Sequence, residues 1–576
     1  MILQALTSLY EALAQKGEIS KEGWSREKIS FALGIDENGD LLRITPLFET
    51  VDMPKGKKKE EPQKMMVPIK EKNTGPKFLW GNSGFILGAA NKKTPEKAKE
   101  NFEENRQLHH QLLDEVDSPA AKAILNFLDG WKPEKTTENE LVAQYASELL
   151  GSANMVFRFN GKFMHEIPEL SAAWQTHYGA AQNEKGQCLI TGMLDTIERT
   201  HPFIKDVQGA NPAGAALVSF KWPAFCSYNK ENNYNAPVGK YAAFAYTTAL
   251  NHLLADKSNV HRIGDASVVC WAENADKQYE DFAAEVFFGD NVDKSDEQRL
   301  SALRTSLKLL ADGLPCKEMD LDPDRKFYIL GLSPNNGRIA VRFFYCDSFG
   351  KIAGNIYKHH ERLEIVRPSY DKFPILPLWK LLSATVNPNA KDKTPNAAMA
   401  GAVARAVFSG GRYPASLLEC TFLRIKAERN ITRERAAIIK AYYLRNPNEK
   451  CPKEVLTVSL NENSKNIPYT LGRLFSVYEE IQQAANPGIN TTIKDRYFGS
   501  AAAMPATVFP ILSNLAQKHL RKLSDAQRVY LDKKVMTLKS VLGEQYPAHM
   551  SLPEQGSFDL GYYHQTQARY TKKEDK

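Results

Sequence analysis

The spacing of apolar residues changes at one point of this chain, and that change limits the folds it can adopt. Before the segment 387–396, NPNAKDKTPN, two apolar runs alternate around Pro334-Asn335-Asn336-Gly337, which is the pattern of a β-hairpin. After it, from Leu471 to Ile481 and beyond, apolar residues recur at helical spacing. The sequence therefore predicts an α+β fold, with a mixed N-terminal region of short β-sheets followed by a C-terminal α-helical bundle.

The length of the chain sets how many domains to expect. At roughly 100–200 residues per domain, 576 residues predict about three or four folding units. We expect residues 1–390 to form the mixed region, either as one unit or as two with a break near 130–200. Residues 391–576 form the predicted bundle, because 387–396 has the composition of a linker.

Local signals predict several elements. A helix is expected from the start to about Gln15, and a second from about Pro95 to Leu113. Asn38-Gly39 between two apolar runs indicates a hairpin. The polar segment 54–64, PKGKKKEEPQK, is expected to be a loop.

The amino-acid composition indicates the cellular compartment in which the protein is expected. No run of about 18 or more uncharged apolar residues occurs, so we expect no membrane span. The seven cysteines are scattered, with no CxxC pair, which is typical of reduced thiols in a cytoplasmic protein.

Positive charge is concentrated towards the C-terminus. Residues 401–576 hold 26 Lys and Arg against 16 Asp and Glu, a net charge of +10, whereas residues 1–400 have a net charge of −3. Such asymmetry favours a polyanionic partner, nucleic acid first. A lysine-rich solvated helical surface is an equally good interpretation of the charge alone.

The segment 201–251 combines lysines, amides, small residues and aromatics, and its only acidic residues are Asp206 and Glu231. Its lysines can neutralise phosphates and its amides can bind base edges, while its aromatic rings can stack on bases. The alternative is a glycine-rich loop followed by a buried helix, AAFAYTTALNHLL, and we accept the helix as structural. The amide, lysine and aromatic candidates are Lys205, Gln208, Asn211, Lys221 and Tyr228.

A second basic stretch, 423–445, contains Arg424, Arg429 and Arg433. At helical spacing, these cations could line a groove for a nucleic-acid backbone. An exposed, salt-bridged helix is the alternative, with Glu428 and Glu434 as the available partners.

Motifs that would carry catalysis are missing from the sequence. It contains no GxxxxGK[ST], GxGxxG, HExxH or GxSxG motif, and no cysteine–histidine cluster with metal-ligand spacing. Asp495, between Lys494 and Arg496, is better explained as a carboxylate at a helix start than as a catalytic group. We therefore expect neither an enzyme nor a bound metal or cofactor.

Motifs along the whole chain resemble one protein family. They include MILQALTSLYEAL, FLWGNSGFILG, HPFIKDVQGA, LGLSPNNGRIAVRFF, LGRLFSVYEEIQ, NTTIKDRYF and LPEQGSFDLGYYHQ, in that order. Together they resemble the large subunit of the type I-C CRISPR interference complex, Cascade.

The resemblance implies a non-catalytic subunit of a guide-RNA complex. Such a subunit recognises the protospacer-adjacent motif on target double-stranded DNA, helps to part the strands and offers a docking surface for the helicase-nuclease. Its implied partners also include the backbone and handle-binding subunits of Cascade. A small subunit made from an internal start near 455–460 is implied as well, so 455–576 resembles a separately translated product.

Residue type and loop position give the candidate motif contacts. We expect Lys77, Asn82 and Ser83 to form one loop of the site, and Lys205, Gln208 and Asn211 another. Asn and Gln can bind base edges, while lysines hold phosphates. Two rival hypotheses remain, a nucleic-acid-processing enzyme such as a nuclease and an architectural subunit that never touches DNA.

Overall fold

The computed structural model describes residues 1–53, 57–70, 75–90, 94–151, 153–179, 184–289, 297–543 and 545–570. The chain divides into two compact units. The first unit comprises Leu3–Pro202 with Val218–Ala249, and the second comprises Phe203–Leu217 with Leu250–Lys576. Helices and short sheets are mixed, and helices dominate the C-terminal part, so the predicted α+β class is confirmed. The predicted domain division at residue 390 stays a prediction.

The first unit contains two main sheets and a short hairpin. Its strands are β1 (Trp24–Ile29), β2 (Phe31–Ile35), β3 (Leu41–Pro46), β4 (Phe48–Met53), β5 (Lys57–Pro68), β6 (Trp80–Asn82), β7 (Asn154–Phe159), β8 (Lys162–Phe163), β9 (Lys185–Gln187) and β10 (Leu194–Thr196). The larger sheet has the order β3-β2-β7-β6, with β8 paired to β7, and only β2 and β7 run parallel in it. The turn at Asn38-Gly39 joins β2 to β3, as predicted.

The first unit also contains helices. They are α1 (Ile2–Gln15), α2 (Ser83–Ile86), α3 (Pro95–Leu113), α4 (Pro119–Gly130), α5 (Glu140–Ala143), α6 (Ala146–Leu149), α7 (Pro168–Gly179) and α8 (Lys240–Ala255), with 3-10 turns at Pro133–Glu138, Met164–Glu166, Pro223–Phe225 and Asn232–Asn235. Helix α8 belongs to this unit as far as Ala249, and its last turns belong to the second unit. One apolar cluster includes Phe31, Phe127, Phe157 and Trp174, and the Phe127 ring of α4 packs edge-on against the Phe157 ring of β7. The predicted helices at 1–15 and 95–113 are confirmed.

The second unit is organised around an antiparallel sheet. Its strands are β11 (His261–Ile263), β12 (Ala266–Ala272), β13 (Lys326–Asn335) and β14 (Arg338–Ser348), paired in that order. The predicted hairpin is confirmed, with Asn335 opposite Arg338. Its two turn residues, Asn336 and Gly337, both have positive φ (43° and 81°), because a two-residue turn that matches the twist of the strands requires it.

Helices make up the rest of the second unit. They are α9 (Lys277–Ala283), α10 (Glu297–Ala311), α11 (Phe349–Leu363), α12 (Leu378–Ser383), α13 (Ala397–Ser409), α14 (Ala415–Glu428), α15 (Arg433–Arg445), α16 (Ile467–Ala485), α17 (Ile493–Ala503), α18 (Pro505–Leu520), α19 (Asp525–Leu542) and α20 (Leu552–Ala568), with shorter turns at Ala284–Phe288, Lys317–Met319 and Lys453–Val455. One apolar cluster runs from Ile263 to Tyr563 through sheet and helices alike. Across the described residues, no helix is long and apolar enough to cross a bilayer.

The segment 54–64 differs from its predicted loop. Residues 57–64 open the long strand β5, while residues 54–56 lie outside the described residues. The first half of β5 pairs with β4 and the second half with β1, and Pro62 is the last residue paired with β4. The strand tolerates its charges because Glu61 forms ion pairs with Lys28 and Lys59 at 2.6 and 3.1 Å. The pair between Lys28 of β1 and Glu61 of β5 joins two strands, and such a pair cannot be predicted from the local composition of 54–64.

Helices α16 and α20 approach each other through two glycines. A Cβ at Gly472 would overlap the backbone carbonyl oxygen of Phe558, and one at Gly561 would overlap that of Tyr469. Because only glycine fits where two backbones are this close, these positions set the packing of the two helices.

We predict that Gly472→Ala lowers the free energy of unfolding by about 3 kcal/mol, because the new methyl group must push α20 away. Gly499→Ala is the matched control. Gly499 is also helical and exposed, and a Cβ there meets nothing within 4 Å. Alanine at position 499 should therefore stabilise the helix by about 0.5–1 kcal/mol. Urea unfolding followed by circular dichroism measures both, and equal effects of the two changes would contradict the prediction.

Candidate nucleic-acid interface

Residues 204–215 form a closed loop on the second unit. Ile204 and Ala215 exchange both backbone hydrogen bonds, at 3.0 and 2.9 Å, which closes the base of the loop. Ile204, Val207 and Ala215 are buried and anchor it. The predicted contacts Lys205, Gln208 and Asn211 are all exposed on this loop.

Hydrogen bonds to the backbone fix the shape of this loop. The Asn251 side chain accepts from the Lys205 N–H at 2.8 Å and donates to the Phe203 carbonyl at 3.1 Å. The Gln208 N–H donates to the Ser267 hydroxyl at 3.1 Å. Asp206, the one acidic residue of the loop, lies 3.4 Å from Lys257, which offsets its charge. The exposed side chains of Lys205 and Gln208 are therefore carried by a prearranged backbone, and the Asn211 Oδ1 atom accepts from the Ala213 N–H at 3.0 Å.

The tip of the β13–β14 hairpin lies against the same loop. The Ala216 N–H donates to the Gly337 carbonyl at 3.4 Å, and the Ile339 N–H donates to the Ala216 carbonyl at 2.9 Å. A Cβ at Gly209 would stand 3.2 Å from Pro334. Asn335 and Asn336 are exposed at this tip. We call residues 204–215 with 334–338 the amide surface.

The structure adds Asn335 and Asn336 to the candidate site. The sequence signal for them was Asn336-Gly337, which indicated a turn and gave no hint of what the turn would lie against. The amide surface thus presents four Asn or Gln side chains and a lysine, a set able to bind base edges and a phosphate.

The other predicted loop, at Lys77, Asn82 and Ser83, is largely turned inward. The Lys77 ammonium lies 3.9 Å from the centre of the Trp80 ring, and burial lowers its pKa to about 8. The Asn82 side chain accepts from the Gly84 N–H at 3.1 Å and caps α2. Ser83 is fully buried, so its hydroxyl cannot meet DNA on this surface, and we remove it from the candidate set. These residues belong to the first unit and the amide surface to the second.

Lys221 and Tyr228 lie in a different exposed segment. Both are on the first unit, in a loop of residues 220–235 that also exposes Trp222 and Phe225. The predicted residues of segment 201–251 are therefore divided, with Lys205, Gln208 and Asn211 on one unit and Lys221 and Tyr228 on the other.

The basic stretch 423–445 does not form the predicted groove of exposed cations. Arg433 is buried, lies 3.0 Å from Asp371 and donates to the carbonyls of Phe373 and Pro374. The guanidinium of Arg424 is mostly buried and lies 3.7 Å from Glu428. Arg429, by contrast, is exposed at the C-terminal end of α14. Arg433 is thus a structural cation, and of the three predicted arginines Arg429 alone is well exposed to a phosphate.

Two further cations on α15 are buried as well. Arg435 lies 2.6 Å from Glu428 and donates to the carbonyls of Ala384 and Asn430. Lys440 donates to the carbonyls of Arg362 and Glu364, and burial lowers its pKa to about 8. Sequence spacing could not show this, because buried and exposed cations are the same residue types.

Asp495 is placed as the sequence suggested, at the start of a helix. Its carboxylate accepts from the Thr492 N–H at 2.8 Å and completes a capping box at the start of α17. Among the described residues, no group of three His, Cys, Asp or Glu side chains is placed to hold a metal ion.

We predict opposite outcomes for two neighbouring arginines. Arg433→Gln should lower the free energy of unfolding by about 3 kcal/mol, because it leaves a buried carboxylate and two carbonyls with fewer donors. Arg429→Gln should change it by less than about 0.5 kcal/mol, since the side chain is exposed. Denaturant unfolding measures both. A stable Arg433→Gln protein would show that the cation is dispensable to the fold.

Comparison with known families gives one finding for nearly the whole chain. A family model described as CRISPR-associated protein (Cas_Csd1) matches residues 6–570. A search of curated proteins finds no match. The family model thus covers both compact units, including the amide surface and the loop 220–235.

Proposed function

Since the chain belongs to the Cas_Csd1 family of CRISPR-associated proteins, we propose that it is the large subunit of a type I-C Cascade complex. In this role it binds target double-stranded DNA at the protospacer-adjacent motif, aids strand separation and offers a docking surface to the helicase-nuclease. The protein reads the short motif and the shape of the duplex, while the guide RNA reads the sequence by base pairing. It acts without catalysing a reaction itself.

The amide surface is the observation that supports this proposal most strongly. Asn and Gln side chains form paired hydrogen bonds with adenine in the major groove, and lysines hold phosphates. Gln208, Asn211 and Asn336 are exposed. The Gln208 backbone is fixed by its bond to Ser267 and that of Asn336 by a tight turn, while the Asn211 Oδ1 atom accepts from the Ala213 N–H at 3.0 Å and leaves the Nδ2 group of that side chain to donate to a partner. A short motif needs only a few such contacts, because each good pair discriminates by about 1–3 kcal/mol.

Within this proposal the protein is a cytoplasmic member of a larger assembly. Its partners are the guide RNA with the backbone and handle-binding subunits, the target DNA and the helicase-nuclease. The net charge of +10 over residues 401–576 suits helices that lie along displaced or target-strand DNA. Arg429 is one of the exposed cations that contribute to this net charge, whereas Arg433, Arg435 and Lys440 are buried.

Residue changes on the amide surface test motif recognition. We predict that Gln208→Ala or Asn211→Ala weakens binding of the assembled complex to motif-bearing duplex by about 5- to 150-fold, the equivalent of about 1–3 kcal/mol. Binding to a target whose strands are already unpaired should hardly change, because guide pairing then supplies the affinity. Electrophoretic mobility shifts at one salt concentration measure both.

The control for these two variants is Asn389→Ala, an exposed amide in the linker-like segment 387–396. It should bind both targets as the unaltered chain does. Unchanged binding by the Gln208 and Asn211 variants would remove the amide surface from motif recognition.

DNA cleavage by the purified chain with Mg²⁺ or Mn²⁺, abolished by Asp495→Ala, would instead favour a nuclease. Salt-insensitive binding in every variant would favour an architectural subunit.

The proposal includes a small subunit translated from the C-terminal part of the same reading frame. No methionine lies between Met399 and Met504, so a start near 455–460 requires a non-AUG codon, for example at Val455, Leu456 or Val458. Such a product would carry α16–α20.

We predict that expression of the reading frame with a C-terminal tag yields a short tagged polypeptide beside the full chain. Synonymous changes around codons 455–458 are the control, since they alter initiation without changing the full-length protein. Mass spectrometry of the N-terminus identifies the start. Absence of any short product would contradict internal translation of a small subunit, and it would not affect the proposed role of the amide surface.

A further inference from the structure

The loop 220–235 exposes large aromatic side chains to solvent, which folded proteins usually bury. Tyr228 is 95% exposed, Trp222 60% and Phe225 45%, all within seven residues. We call this segment the aromatic loop. Exposed aromatics so close together mark a surface that binds something, because each ring left in water forgoes the free energy of burial.

One side chain holds the aromatic loop in shape. The Oδ1 atom of Asn235 accepts from the Ser227 N–H at 2.8 Å, and its Nδ2 atom donates to the carbonyls of Lys230 and Asn232, both at 2.9 Å. Between these bonds, Tyr228 and Asn229 have positive φ values of 52° and 55°. Non-glycine residues rarely adopt such angles, so the Asn235 bonds stabilise a conformation that the chain would otherwise leave.

The first half of the loop is ordered by its own backbone. Residues Pro223–Phe225 form a 3-10 turn, in which the Phe225 N–H donates to the Trp222 carbonyl at 2.9 Å. The Cys226 thiol lies 3.7 Å from the carbonyls of Phe220 and Trp222. Both ends of the loop are thus fixed before any partner arrives, which lowers the entropy cost of binding.

The charges around the rings suit a polyanion. Lys221 and Lys230 are exposed, and the Lys221 ammonium lies 6.0 Å from the centre of the Trp222 ring. Glu231, the only acidic residue between 220 and 235, lies 3.2 Å from Arg199, which offsets its charge. Cations beside open ring faces are the combination with which proteins bind single-stranded nucleic acid, since the rings stack on bases and the cations hold phosphates.

We propose that the aromatic loop binds unpaired nucleic acid by stacking bases on Trp222 and Tyr228, with Lys221 and Lys230 on the phosphates and Asn235 as a positioning residue. The ligand must be unpaired, because bases inside a duplex have no free face to offer. The loop is a second binding site, chemically distinct from the amide surface and carried by the other compact unit. It rests on the proposed function only in the choice of nucleic acid as the ligand class.

The test uses the purified full chain and a fluorescent single-stranded oligothymidine, with a duplex of the same length as the comparison. Tyr228→Ala and Trp222→Ala should each weaken single-strand binding by about 5- to 100-fold, the loss expected for one stacked base. Tyr228→Phe should retain binding, because the ring face remains. Tyr370→Ala is the matched control, since Tyr370 is 83% exposed on the second unit.

Asn235→Ala tests the positioning role. It leaves both rings and both lysines in the chain but removes the bonds that shape the loop. An oligonucleotide containing 2-aminopurine should therefore lose the fluorescence quenching that stacking causes. The salt dependence of the remaining binding should persist, because it reports phosphate contacts by the lysines. A variant that was merely misfolded would lose both signals.

The results separate this proposal from the proposed function. If Tyr228→Ala and Trp222→Ala bind the oligothymidine as tightly as the unaltered chain, or if the unaltered chain does not bind it at low salt, the aromatic loop has another partner and the proposal fails. Neither result bears on motif recognition, which is measured with Gln208→Ala on duplex DNA. If Gln208→Ala loses motif binding but keeps single-strand binding, and Tyr228→Ala loses single-strand binding but keeps motif binding, two separate sites are established.

Discussion

Helix α15 carries Arg433, Arg435 and Lys440 into the interior of the second unit, and the packing there depends on how these cations are satisfied. A buried charge costs several kcal/mol unless it is paired and hydrogen-bonded. Arg433 forms an ion pair with Asp371 and donates hydrogen bonds to two carbonyls. Lys440 donates to carbonyls at the C-terminal end of α11, where the helix dipole is negative. These bonds tie α15 to residues 361–384, and the helices that follow pack into the same apolar cluster.

The same cations show that the net charge of a segment does not identify which of its cations lie on a binding surface. The excess of +10 over residues 401–576 counts buried and exposed side chains alike. Those buried on α15 stabilise the fold, whereas Arg429, a few residues earlier, faces solvent. Charge patterning thus favoured a polyanionic partner for this chain, but the cations that can meet one had to be identified from burial.

Local sequence signals located some elements and missed others for definable reasons. The helix Pro95–Leu113 and the hairpin at Asn336-Gly337 were predictable, because a cap, a helical period or a turn dipeptide specifies each within a few residues. Strand β5 was not, because Lys57–Lys64 is polar and is stabilised by pairing with β4 and β1 and by ion pairs to Glu61. Ser83 has a hydroxyl suited to DNA, but the packing of α2 buries it.

By itself the sequence determined the fold class, the lack of familiar catalytic motifs and the concentration of amides, lysines and aromatics between 201 and 251, because these follow from composition and short-range periodicity. Only the tertiary structure decided how that segment is used. It assigns Gln208 and Asn211 to one compact unit, beside Asn335 and Asn336, and Trp222 and Tyr228 to the other, on a loop shaped by Asn235. The physical reason is that burial and backbone pairing depend on residues far away in the chain. The backbone hydrogen bond between Ala216 and Gly337, for example, joins residues that are 121 positions apart.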